Sequence, residues 1–238
     1  MNIKIMSFNV QHCLNYLTQK IDYAVMVDAI KQCQADVVGL NEIYGFPPTE
    51  DYTRPEIEEL AEMLGYYVYF ARAIDITPGK PYGNALVSKY PILSAETIAI
   101  PNPQIPNPRT AYSYEPRCVL KAKLDVGNGL HVLVTHFGLN PDEQILAAQT
   151  VQNSMEDSRC VLMGDFNLTP ESQLLVPIRA RLNDAADLFS ADLLSFPSDN
   201  PDRKIDYIFA TPDVKILSAD IPAIIASDHR PHTAVIEI

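Results

Sequence analysis

The chain has 238 residues, 47% of them hydrophobic, and 18 basic against 30 acidic residues for a formal net charge of −12. Its pI is near 4.7 and its mean hydropathy is −0.03, as expected of a soluble globular chain long enough for one large domain spanning 1–238. No run of ~18 or more apolar residues offers a membrane span, and the acidic balance argues against tight nonspecific duplex-DNA binding, which needs many cations at phosphates.

The N-terminus alternates apolar and polar residues from Met1 to Met6 and runs directly into Ser7-Phe8-Asn9. That pattern is a strand rather than a cleavable signal, so a cytoplasmic location is expected. Strand-like runs follow at 3–9, 36–41, 66–72, 84–88, 92–100, 117–124, 130–136, 160–163, 205–210, 214–221 and 233–238. Between them, 21–34 carries apolar residues at helical spacing. Residues 55–64 open with Pro55 and acidic residues near the positive end of a helix. Residues 141–156 have Asn140 as N-cap, then Pro141, Asp142 and Glu143. A weaker helix is expected at 171–182, and loops at 75–83 and 101–108, the latter rich in proline.

Several strands are apolar on both faces, as where Val132 and Val134 oppose Leu133, so both faces are buried. Doubly buried strands with interspersed helices predict two packed sheets covered outside by helices. Cys13, Cys33, Cys118 and Cys160 form no CxxC pair or zinc spacing and read as reduced, buried residues.

Six polar clusters punctuate the ends and starts of these apolar runs: Ser7-Phe8-Asn9, Asn41-Glu42, Thr135-His136, Gly164-Asp165-Phe166-Asn167, Ile205-Asp206-Tyr207 and Ser227-Asp228-His229. Glu42 is either a ligand for a hard divalent cation or a solvent-facing loop acid. Asp165 and Asn167 sit in a segment that is either a plain turn or a strand end presenting a water-orienting carboxylate and an amide for phosphate oxygens. His229 has Asp228 beside it and Asp206 as a candidate carboxylate partner. His136 and Asn9 are unremarkable alone. Arg117 either binds phosphate or pairs with a carboxylate, and it shares a strand face with Lys121 and Lys123, which read as solvated. Tyr82, Tyr112 and Tyr114 flank the site-facing strands, so one of them could touch substrate.

In this order the clusters resemble the endonuclease/exonuclease/phosphatase superfamily, which includes deoxyribonuclease I-like and exonuclease III-like metal-dependent hydrolases. The resemblance runs from Ser7 to His232. Its most specific pieces are Gly164-Asp165-Phe166-Asn167 and Ser227-Asp228-His229, with 83–92 as a further match. It implies a four-layered α/β sandwich, two mixed β-sheets packed face to face with helices outside, and Mg²⁺ or Mn²⁺ at one end. It also implies Glu42, Asn9 and Asp228 at the metal, Asp165 positioning the attacking water, Asn167 and Arg117 on phosphate, and His229 paired with Asp206. His136 would be a phosphate-contacting histidine, where repair endonucleases of this group carry tyrosine.

The reading that follows is a Mg²⁺-dependent hydrolase of a phosphodiester or phosphomonoester, acting on a small or lipid-type substrate. Its alternatives are a DNA or RNA nuclease, for which Lys80, Lys89, Arg109, Arg117, Arg203 and Lys204 would have to form one basic groove, and a non-catalytic binding module.

Overall fold

The computed structural model describes residues 1–45, 56–104, 112–191 and 193–238. Its strands and helices, in chain order, are β1 (Asn2–Asn9), β2 (Leu14–Asn15), β3 (Lys20–Ile21), α1 (Tyr23–Cys33), β4 (Val37–Tyr44), α2 (Glu56–Leu64), β5 (Tyr67–Thr77), β6 (Lys80–Ser88) and β7 (Ile92–Ile100). They continue with β8 (Arg117–Leu124), β9 (Leu130–His136), α3 (Pro141–Ser154), β10 (Cys160–Asp165), α4 (Val176–Arg179), β11 (Asn183–Asp184), β12 (Asp206–Ala210), β13 (Lys215–Asp220) and β14 (His232–Glu237).

Two six-stranded sheets form, ordered β13-β14-β1-β4-β6-β5 and β11-β12-β10-β9-β8-β7. Each has one parallel pair at its centre, β1 with β4 and β9 with β10, and antiparallel pairs elsewhere. The parallel pairs arise because α1 and α3 carry the chain back between their strands.

One apolar cluster fills the space between the sheets, including Ile5, Leu120, Val134, Met163 and Ile236. A second lies between the first sheet and α1 and α2, with Phe8, Met26, Ile30, Leu40 and Leu60. A third lies between the second sheet and α3, with Leu133, Val151, Leu162 and Phe166. The result is the four-layered α/β sandwich, and alternate residues of the central strands feed different layers.

Helix α1 begins where the Asp22 side chain accepts from Val25 N at 3.3 Å and ends on left-handed Gln34. At α3 the expected cap is present, with Glu143 accepting from Asn140 N at 3.2 Å. The described part of the 55–64 helix is α2; Tyr52, Pro55, Pro106, Pro108 and Arg109 lie outside the described residues.

Two expectations are corrected. Residues 75–83 are not a loop, because β5 and β6 pair as far as Thr77 and Lys80 and Pro78-Gly79 closes a two-residue turn with Gly79 at φ 78°. The 171–182 helix breaks into a 3₁₀ turn, Gln173–Leu175, and the short α4, since Pro177 lacks the N–H that a continuous helix needs. All four cysteines are free and buried. No helix among the described residues is long and apolar enough to cross a membrane.

Candidate active site

The C-terminal ends of the four central strands meet at one edge of the sandwich, where open α/β sheets place their ligands. Asn9 ends β1, His136 ends β9 and Asp165 ends β10. Their register sets Asn9 opposite Asn41, and Asp165 opposite both His136 and Asp206.

Glu42 reaches the site through a bulge. The pairing of β4 with β6 shifts between Leu40 and Ile43, and Glu42 has φ 58°. The extra residue turns Asn41 into the space between the sheets and Glu42 towards the cleft. Asn41 then joins the two sheets. Its Nδ2 donates to Asn84 Oδ1 at 2.8 Å and Thr135 O at 2.9 Å, and its Oδ1 accepts from Asp165 N at 2.9 Å. Gly164 is also required by geometry, because at φ 147° its backbone packs so closely that a Cβ would collide with the Thr135 carbonyl.

A cleft of about 460 Å³ opens here. Glu42, Asp165, Asp228 and His229 line it, as do Arg117, His136 and Asn167. Asn9 lies just behind, donating from Nδ2 to Glu42 Oε1 at 3.0 Å and to Asp165 Oδ2 at 3.1 Å, while its own oxygen accepts from Gln11 N at 3.1 Å. Asp206 is buried behind His229 and bonds its Nδ1 at 2.8 Å. The structure thus brings all nine candidate residues together. Tyr112 also lines the cleft, whereas Tyr114 donates to Asp142 at 2.6 Å.

The two histidines differ in charge for visible reasons. Arg117 Nη1 lies 2.9 Å from His136 Nδ1. Arginine can only donate, so Nδ1 accepts and the proton sits on Nε2. Burial first, then the Arg117 cation, hold His136 well below the usual histidine range. For His229, burial opposes the charged form, but Asp206, Asp165 and Asp228 outweigh it and raise the imidazole to about 10. Asp165 is pushed up to about 7 by burial, against the pull of His229.

The other carboxylates converge without a matching cation. Burial and then the Glu42 charge raise Asp228, which accepts from Ser227 Oγ at 3.0 Å. Burial also keeps the Tyr82 phenol far above its ordinary range, so that it stays a donor to Glu42. Hard oxygen donors with like charges crowded together are what a divalent cation relieves, and Glu42 with Asp228 fits that group. Asp165, Asp206 and His229 also present close ligand atoms, within 4.8 Å of one another, but Asp206 and His229 already use theirs on each other.

The sequence reading missed four contributors. Ser195 Oγ accepts from Ile205 N at 3.2 Å and Asp206 N at 3.3 Å, fixing the strand that carries Asp206. Phe196 packs on the His229 ring, centroids 4.8 Å apart. Arg203 lines the cleft. His12 Nε2 stands 3.9 Å from Glu42 Oε2. His12 falls three residues after Asn9 and was findable; the others come from an aperiodic loop that carries no signal.

A family model described as "Endonuclease/Exonuclease/phosphatase family" matches residues 6–229. No curated protein matches the sequence. Among solved structures, an endonuclease/exonuclease/phosphatase from Beutenbergia cavernae DSM 12333 is similar at TM-score 0.81 and 21% identity, covering 100% of this chain and 72% of that one. The mannosyl-6-phosphatase Bt3783 of Bacteroides thetaiotaomicron VPI-5482 gives 0.78 at 16% identity, covering 99% and 100%. The human Nocturnin catalytic domain gives 0.71 at 19% identity, covering 99% and 93%.

Proposed function

Since the chain belongs to the endonuclease/exonuclease/phosphatase family, a family of hydrolases, we propose that it is a divalent-metal-dependent phosphoesterase acting on a phosphodiester or phosphomonoester of small size. The observation that carries this reading is the placement of Asp165 between a neutral and a cationic histidine, 3.5 Å from His136 Nε2 and 3.6 Å from His229 Nε2, in the cleft that Glu42 and Asp228 also line.

Glu42 and Asp228 would hold the cation, Mg²⁺ or Mn²⁺, and Asn9 fixes Glu42 through its amide. When bound, the ion supplies Lewis-acid polarisation and offsets charge developing on the phosphoryl group. Asp165 orients the attacking water and takes up its proton, a role suited to a carboxyl titrating near neutrality. The His229 imidazolium, oriented by Asp206, donates from Nε2 to the phosphoryl group as negative charge develops. His136 offers a neutral N–H and Arg117 a fixed cation to phosphate oxygens. Asn167 is held in place by donating to Phe137 O at 3.0 Å.

The nuclease reading has less support. Lys89 binds Asp36 at 2.8 Å, beside the start of β4 and away from the cleft, Lys80 opens β6 beside the hairpin turn, and Lys204 is buried. Arg117 and Arg203 alone of the proposed basic groove line the cleft among the described residues. The test is hydrolysis of a chromogenic phosphodiester, a phosphomonoester and a labelled duplex oligonucleotide, each with Mg²⁺, Mn²⁺ or chelator. Metal-dependent release from a small ester with intact DNA supports the reading, and preferential cleavage of the duplex overturns it.

A further inference from the structure

Thr169 and Arg203, on the rim of the cleft, also line a second and larger cavity of about 830 Å³. Its size suits a small organic group. One wall is apolar, formed by Phe189, Leu193 and Leu194. The other is charged but balanced, with Glu171 and Asp202 against Arg203 and Lys204. Arg203 is already engaged, donating to Asp202 at 2.6 and 3.1 Å.

Lys204 is unusual. It is 5% exposed, its ammonium lies 3.3 Å from the centre of the Tyr207 ring, and that ammonium has no hydrogen-bond partner among the described residues. The ring face attracts the cation but accepts no conventional hydrogen bond from it. A buried donor left without an acceptor is costly, and burial accordingly lowers Lys204 to about 8.

We propose that this cavity is a leaving-group subsite for an uncharged cyclic polyol, a hexose or cyclitol esterified to the scissile phosphate. The proposal rests on the phosphoesterase reading. Balanced charge on the wall disfavours a second anionic group. Hydroxyl groups both donate and accept, so a polyol can answer the Lys204 ammonium and the carboxylates of Glu171 and Asp202 together. The C–H face of a ring suits the wall of Phe189 and Leu193. A lipid chain would leave the polar wall dry at a desolvation cost. A base would need an aromatic platform, and the single aromatic ring on the wall, Phe189, already lies against His232 with centroids 5.3 Å apart.

The test measures kcat/KM for mono- and diesters that share the phosphoryl group but differ in the alcohol: hexose, cyclitol, nucleoside, diacylglycerol and nitrophenol. Wild type should favour the hexose or cyclitol ester over the others by at least about tenfold. Leu193→Trp, which fills the cavity, and Lys204→Met, which removes the donor, should each lower the polyol-to-nitrophenyl ratio by at least about tenfold. A nucleoside or lipid preference, or a ratio indifferent to both variants, overturns the subsite. Failure to cleave any ester with metal would strike at the hydrolase reading instead. Saturation-transfer NMR with hexose 6-phosphate and inositol 1-phosphate would then decide the subsite alone: transfer to ring protons that is lost in Leu193→Trp supports it, and no transfer refutes it.

Discussion

His136 and His229 approach the same atom, Asp165 Oδ2, from two sides at 3.5 and 3.6 Å, yet their surroundings give them opposite charge. Arg117 makes His136 a neutral Nε2–H donor, and Asp206 makes His229 a cation. Replacing Asp206 with Asn removes the charge that sustains the imidazolium. Turnover should fall by about 10²–10⁴. The alkaline limb of the rate profile should shift down from the region of pH about 10, where His229 titrates in the intact site. A profile with an unmoved alkaline limb would contradict the role assigned to that pair.

Asp165→Asn should cut turnover by orders of magnitude and also cost stability. Asp165 accepts from Asn167 N on Oδ1 at 2.9 Å and from Asn9 Nδ2 on Oδ2 at 3.1 Å. An asparagine amide can satisfy only one of them, leaving a buried donor clash worth about 1–3 kcal/mol. Urea melts beside single-turnover rates separate the two effects; full activity in the variant would remove Asp165 from the mechanism.

Glu42→Gln should weaken metal binding while the fold persists. Saturating Mg²⁺ or Mn²⁺ at about 100 times Kd should stabilise the wild type by about 2.7 kcal/mol, read as a rise in Tm. That rise should disappear in the variant, and an equal rise in both would place the cation elsewhere.

Asn41→Ala should be among the most destabilising single changes at the site. It deletes three buried hydrogen bonds spanning both sheets, leaving Asp165 N, Thr135 O and Asn84 Oδ1 short of partners. The expected loss is about 3 kcal/mol or more, measured by denaturant titration. A loss under ~1 kcal/mol would mean that water replaces the amide.

Acid should destabilise the fold through its buried neutral histidines. His136 and His232 are both held well below the usual range, burial being the largest cause. A lowered folded pKa means that their contribution is complete above the ordinary value of about 6.5 and is lost as pH falls below it, at up to about 1.4 kcal/mol per pH unit for each. His229 behaves in the opposite sense: its contribution is complete below about 6.5 and lost as pH rises through about 10. His232→Gln should reduce the stability difference between pH 7 and pH 5, and an unchanged difference would assign the acid loss to other groups.

The amino-acid order by itself determined the elements and the chemistry at their ends. Period-two runs such as 117–124 and 130–136 matched β8 and β9 residue for residue, because doubly buried strands are apolar enough to stand out from their flanks. Asn140 marked the start of α3, since a cap is a local device. Glu42, Asp165 and His229 were legible because strand ends rich in carboxylate, amide and imidazole are costly to leave beside a core without a purpose. Tertiary structure decided the rest. The Glu42 bulge depends on its partner β6, and the 75–83 hairpin on strand pairing that local composition masked. The opposite charges of His136 and His229 come from Arg117 and Asp206, 19 and 23 residues away in the chain. The cavity beside Lys204 gathers residues from 169 to 204. Charge states and cavities depend on what folding brings within a few ångströms, and a linear order of residues does not carry those distances.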